Sequence, residues 1–176
     1  MKFIIRQETA TDHQEVFKLT EEAFLTMPYS DHTEHFLVER LRKSSAFIPE
    51  LSLVAVLEDK IVGHILLTKV MLVNGTEKKE VLSLAPVGVL PAFQSKGIGS
   101  KLINKAHELA KDLGYKAVVL IGHEAYYPRF GYVQAHTKGI KFPFEVGKEH
   151  CMVIELVENG LNGVKGMVEY PKAFFE

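Results

Sequence analysis

Between Leu51 and Leu90 the chain is a succession of aliphatic, β-rich runs broken by two polar interruptions, Glu58-Asp59-Lys60 and Asn74-Gly75. Both are reversal signals. Short polar turns join antiparallel strands, and Asn and Gly tolerate the positive φ that a tight hairpin demands. The spacing predicts strands over 51–57, 61–73 and 80–90, joined as a three-stranded antiparallel meander that Pro91 stops.

The flanking segments supply the rest of the architecture. Residues 2–7 read as a strand, with Thr9-Ala10-Thr11-Asp12 able to cap a helix over 12–24 whose Val16, Leu19, Ala23 and Phe24 form one stripe. Met27-Pro28-Tyr29 ends it. A second helix over 32–43 puts Phe36, Leu37 and Leu41 on one face, with Asp31 or Thr33 at its start, and 44–49 is a connector. Beyond Pro91, residues 99–113 form a helix with Leu102, Ile103, Ala106, Leu109 and Ala110 inward and Gly114 as C-cap. A buried-type strand follows over 117–121. Residues 124–130 suit a short helix, 132–134 and 151–157 strands, and 138–148 a surface loop. The fold class is therefore α+β, with a mixed, mostly antiparallel sheet flanked by helices.

A chain of 176 residues, 47% of them hydrophobic, suffices for one domain, expected over 1–157, with 158–176 as a tail packed on it. That tail either adds a last strand or covers a partner in a homodimer; the strand is the expectation. Lys and Arg number 21 against 22 Asp and Glu, a net charge of −1, so no global field attracts nucleic acid or an anionic membrane. The single cysteine, Cys151, reads as a small buried hydrophobe in a reducing, cytoplasmic setting. Neither an export signal nor a membrane-spanning run is expected.

Chemistry concentrates where a strand passes through a glycine loop into a helix: Val87, Gly88, Val89, then Leu90-Pro91-Ala92-Phe93, then Gln94, Ser95, Lys96, Gly97, Ile98, Gly99 and Ser100. Backbone N–H groups at a helix N-terminus, unscreened by Cβ atoms, form an anion cradle reinforced by the helix dipole. Lys96 adds charge and Ser100 a hydroxyl. A nucleotide-hydrolase loop would end in Gly-Lys-Ser/Thr, whereas Lys96 precedes Gly97; a dinucleotide fingerprint would want a small residue where Leu102 stands.

The block Gln94-Ser95-Lys96-Gly97-Ile98-Gly99, after Val89-Leu90-Pro91 and before Ala125-Tyr126-Tyr127-Pro128-Arg129-Phe130-Gly131-Tyr132, resembles the two signature segments of the GCN5-related N-acetyltransferase (GNAT) family. Within that family, the Tyr-Tyr-Pro-Arg-Phe-Gly block and the tail through Glu169-Tyr170-Pro171 are similar to the bacterial YhbS-like group. The resemblance implies a three-layer α/β/α fold and an acetyl-CoA-dependent N-acetyltransferase in which a primary amine attacks the thioester directly in a ternary complex. It implies that 94–100 holds the pyrophosphate, that Val87–Val89 pairs with the pantetheine arm, and that the Val89 N–H meets the thioester oxygen. Tyr127 aligns with the tyrosine that protonates the departing thiolate. No metal is implied. A non-catalytic acyl-CoA-binding or regulatory module on the same fold is the alternative.

Other residues stay open. The amine acceptor has no readable motif, and the general base lies among Glu21, Glu22, Glu80, His123 and Glu124, since Ser83 stands near the place where some relatives carry a glutamate. Lys101 and Lys105 either reach the CoA 3′-phosphate or solvate their helix face. His32 and His35, three apart, read as a solvated polar face, and His123 as structural.

Overall fold

The meander forms where its turns put it. In the computed structural model, β2 (Phe47–Leu57), β3 (Lys60–Asn74) and β4 (Glu77–Val89) are linked by reversals with positive φ at Glu58 (48°), Asp59 (62°) and Gly75 (63°). The structure describes residues 2–176; Met1, the first residue of the expected 1–157 domain, lies outside them. β1 (Ile4–Gln7), α1 (His13–Phe24) and α2 (Glu34–Arg42) precede the meander. α3 (Ile98–Asp112) and β5 (Ala117–Ile121) follow it, then β6 (Val133–Gln134), β7 (Ile140–Lys141), β8 (Cys151–Glu155) and β9 (Gly166–Glu169).

Four expectations shift. β2 starts at Phe47 rather than in the fifties, because a register shift between Phe47 and Ser52 interrupts the ladder around Pro49, which has no N–H to donate. On α2 the inward face is His35, Val38 and Leu41. Phe36 is 47% exposed. The reason is a tertiary contact: the His35 imidazole packs edge-on against Phe17 of α1, centroids 4.7 Å apart, so His35 is buried and not part of a solvated face. The loop over 138–148 contains β7, and residues 127–130 coil as a single 3-10 turn in place of a longer helix.

The chain divides into two units. The second takes in Lys69–Leu84 and Ala110–Pro171. Its strands run β9-β3-β4-β5-β8-β6, with β7 parallel to β9. β4 and β5 are parallel over Leu82↔Val118 and Ser83↔Val119, and the β5–β8, β8–β6 and β3–β9 ladders are antiparallel. Its core gathers Val70, Leu72, Val81, Val119, Val153 and Val168. The tail thus contributes a strand.

The first unit takes in the chain up to Thr68, Ala85–Leu109 and Lys172–Glu176, with strand order β1-β2-β3-β4. Arg40 on α2 donates to the Ala173 carbonyl at 2.8 Å, tying down the end of the tail. Asp12 stands just before α1 without a side-chain bond to that helix; it accepts from the Thr9 N–H at 2.8 Å and from Arg6 at 2.7 Å, and these contacts, the Arg6 hydrogen bond foremost, hold its carboxyl below the usual range.

Glu8 is the charged centre of this unit. Its buried carboxylate accepts both Arg42 N–H groups at 2.8 Å, and His64 Nε2 of β3 lies 3.2 Å away. His13 of α1 approaches at 3.3 Å. Burial alone would raise the Glu8 carboxyl; hydrogen bonds from His64 and Arg42 outweigh it and bring it from 4.5 down to about 2. Burial lowers His64. His64 is neutral at pH 7, and facing a carboxylate and Ser52 Oγ (3.1 Å) its proton sits on Nε2.

α3 comes close to β3 at Gly63, where an added Cβ would lie 2.9 Å from Leu102 Cδ1 and 3.0 Å from Ile98 Cγ2. Only glycine leaves that room.

Arg42→Ala leaves a buried charge unpaired and should cost about 3–5 kcal/mol in a urea titration at pH 7. Glu8 is depressed and so stabilises above 4.5, with loss toward about 2; His64, also depressed, withdraws stability as pH falls below its ordinary 6.5. The denaturation midpoint should therefore fall on acidification, and Glu8→Gln, weaker at neutral pH, should flatten the part between 4.5 and 2; an unchanged acid slope refutes the assignment. Gly63→Ala should cost roughly 1–3 kcal/mol, because both neighbours are fully buried and have nowhere to move.

Candidate functional site

The site begins with the last residues of β4. Val87 and Val89 are half-buried and Gly88 is buried, its absent Cβ leaving α1 close: Ala23 Cβ would be 3.2 Å and Phe24 Cε2 3.4 Å away. The Leu90 N–H closes the strand onto Val62 O at 2.9 Å. Pro91–Phe93 then make one 3-10 turn, and Gln94 is extended.

The loop doubles back on its own stem. Gln94 Nε2 donates to Val89 O at 3.1 Å, which occupies the Val89 carbonyl. Ser95 (φ 61°) and Gly97 (φ 83°) are both left-handed, and Ser95 pays strain for that conformation. Successive backbone groups in this form turn their N–H vectors inward as an anion nest. Lys101 N–H makes the first helical bond, to Gly97 O at 3.1 Å, so the N–H groups of Ile98, Gly99 and Ser100 precede the intrahelical ladder. Ile98 is buried beside Gly63 and anchors the helix start, while Gln94 to Gly97 are exposed. All ten residues singled out as cofactor-binding thus sit on one continuous strand, loop and helix start in the first unit.

Lys96 Nζ lies over the Phe93 ring at 5.8 Å from its centre, and Lys60 Nζ, from the β2–β3 turn, over the same ring at 5.7 Å. Lys101 instead sits over Phe3 at 5.1 Å, and Lys105 pairs with Glu108 at 3.3 Å. Lys60 carries no motif and was invisible in the sequence.

Tyr127 belongs to the second unit, opening the turn Tyr127–Phe130 that left-handed Gly131 (φ 105°) ends. Its ring meets Tyr126 edge-on at 5.0 Å and Tyr132 at 5.8 Å, and it lies so close to Gly122 that any Cβ there would overlap it. Burial first, and the Tyr126 phenol second, push the Tyr127 phenol up, so it stays protonated. Tyr126 is held differently: Arg129 stacks over its ring at 4.4 Å and donates to its carbonyl at 2.9 Å. The two tyrosines therefore have different surroundings.

The candidate bases are dispersed. Glu21 is exposed, 3.9 Å from His35 Nε2, and Glu22 is exposed on α1. Glu80 lines a cleft of about 710 Å³ in the second unit together with Lys79, Lys116 and Asn159, a cleft without Tyr127, His123 or Glu124. His123 Nδ1 accepts the Ala125 N–H at 3.1 Å, as a structural histidine does. Glu124 lies 3.0 Å from His150 Nδ1, a carboxylate–imidazole pair the sequence reading missed, because His150 is distant in the chain. Ser83 is buried and bonded to Tyr170. Burial and Glu149 raise the Cys151 thiol. Among the described residues no group of three or more His, Cys, Asp or Glu side chains is arranged to hold a metal, and no helix is long and apolar enough to cross a membrane.

The comparisons with known proteins agree on what such a loop belongs to. The acetyltransferase (GNAT) family model matches residues 14–132. The chain is 35% identical over 126 residues to an uncharacterized N-acetyltransferase of Escherichia coli K12, YjhQ, covering 71% of this chain and 70% of that protein. It is 29% identical over 154 residues to a second from the same strain, YhbS, covering 87% and 90%. The crystal structure of E. coli YhbS in complex with CoA superposes with a TM-score of 0.89 at 25% identity, over 100% of this chain and 93% of that one. A GNAT family acetyltransferase of Brucella melitensis in complex with acetyl-CoA gives 0.81 at 31% identity, over 98% of both. With the matched family model spanning both the glycine loop and the tyrosine turn, this chain belongs to the GNAT family of acetyltransferases.

Proposed function

We propose that the protein transfers the acetyl group of acetyl-CoA to a primary amine, by direct attack of the free amine on the thioester in a ternary complex. The observation that carries this reading is the loop from Gln94 to Ser100, with left-handed Ser95 and Gly97 leading into an unpaired helix N-terminus. Such a nest binds a pyrophosphate without an added metal, and the CoA and acetyl-CoA complexes of two similar proteins supply the ligand that fits it. Val87 to Val89 would pair with the pantetheine amides as a strand edge does, the Val89 N–H meeting the thioester oxygen as it gains charge.

Tyr127 would serve the leaving thiolate. A thiol's reference pKa is about 8.5 and a phenol's about 10. With the Tyr127 phenol pushed higher still, full proton transfer to the thiolate is uphill, and the useful act is a hydrogen bond from a phenol that remains neutral. The contribution is accordingly modest.

Calorimetric titration with acetyl-CoA, followed by a thiol-release screen over polyamines, amino acids, aminoglycosides and peptide amines, tests the whole reading. Saturable binding and amine-dependent thiol release are expected; absence of binding refutes it, and binding without release from any amine marks a non-catalytic acyl-CoA module. With an active amine, Tyr127→Phe should lower kcat about ten- to a hundredfold at unchanged acetyl-CoA affinity. Because its phenol is raised, the wild-type rate should show no alkaline loss due to Tyr127 below about pH 10. An alkaline limb near pH 9 that vanishes in Tyr127→Phe would contradict that environment.

A further inference from the structure

Two ammonium groups from separate parts of the first unit converge on one aromatic ring. Lys60 comes from the β2–β3 turn, Lys96 from the glycine loop, and both lie within 5.8 Å of the centre of Phe93. Among the described residues neither has a carboxylate partner within ion-pair distance. Like charges gathered this way repel each other, and the quadrupole of the ring offsets only part of that repulsion. The arrangement is therefore poised for an anion of more than one charge. The other basic side chains of this region are engaged elsewhere, Lys101 over Phe3 and Lys105 with Glu108.

The proposed cofactor brings such an anion to this spot. CoA carries its pyrophosphate on the ribose 5′ position and a phosphate monoester on the 3′ position of the same sugar. A pyrophosphate seated on residues 95–100 thus puts the second phosphate one ribose away from the loop that carries Lys96. We propose that Lys60 and Lys96 clamp the 3′-phosphate of the CoA moiety, with Phe93 as the positioning residue that holds both ammonium groups toward it. This rests on the reading of the chain as an acetyl-CoA enzyme. It assigns a role to a β2–β3 turn that carries no family motif, and it makes the protein discriminate CoA from its 3′-dephospho form.

The test needs no acceptor amine. Kd values for CoA and 3′-dephospho-CoA, measured by calorimetry at two salt concentrations, should differ about ten- to a hundredfold in the wild type, with the difference shrinking as salt rises. Lys60→Ala should bring the ratio close to one. Phe93→Leu, which removes no charge, should also reduce the ratio, an effect that a merely structural role for the ring would not produce. Lys111→Ala, on the last turn of α3, is the control and should keep the wild-type ratio. Equal affinity of the wild type for both ligands overturns the clamp, as does a Lys60→Ala variant with the full ratio. If neither ligand binds, the acetyl-CoA reading itself fails, which separates that failure from failure of the clamp alone.

Discussion

A single buried carboxylate organises the first unit. Glu8 follows β1, Arg42 sits in the last turn of α2, His64 is on β3, and His13 opens α1; the three partners all lie within 3.3 Å of Glu8. Removing a carboxylate from water costs several kcal/mol, and only well-aligned partners return it. Apolar packing would tolerate α2 sliding along the sheet by a fraction of a turn. A bidentate guanidinium does not, since both of its N–H groups must reach the same carboxylate. The ion cluster thus specifies which arrangement of β1, α1, α2 and β3 is native, whatever it adds to net stability.

That fixed frame permits strain at the loop. Ser95 in a left-handed conformation is costly on its own, and it persists because the segment is held at both ends. On the strand side, Leu90 is bonded to Val62 and Gln94 to Val89; on the helix side, Ile98 and Leu102 are buried against Gly63. Gly88 plays the matching part for α1. Two glycines inside strands, usually weakening, are here the places where helices come near enough to the sheet to hold the glycine loop between them.

The meander, the three α-helices and β5 were legible because each rests on local rules: hairpin residues, a 3.6-residue stripe, a C-cap glycine at Gly114. The glycine loop was legible for a related reason, since its proposed function would reside in backbone conformations that glycine spacing announces. What escaped was decided by distant partners. His35 looked solvent-facing until Phe17 of another helix claimed its ring. Glu8, Arg42 and His64 are unremarkable residues whose importance lies only in meeting. Lys101 and Lys105 drew attention by their spacing on one helix, whereas the ring that collects lysines is Phe93, served by a turn more than thirty residues earlier in the chain. Periodicity finds faces; it does not find which face meets which.

The contrast between the two charge clusters also bears on turnover. Glu8 and Arg42 are buried on both sides, so their pairing is permanent: neither can regain water without opening the fold. Lys60 and Lys96 are exposed and retain most of their hydration, which would keep each contact of the proposed clamp with a phosphate weak and reversible. A co-substrate that must enter acetylated and leave as free thiol in every cycle calls for the second kind. Backbone N–H groups satisfy the same requirement, being fixed dipoles that water can reoccupy when the pyrophosphate departs. On this reading a net charge of −1 is no obstacle to holding a polyanion, because recognition would depend on a few oriented groups whose desolvation costs little and not on the field of the whole chain.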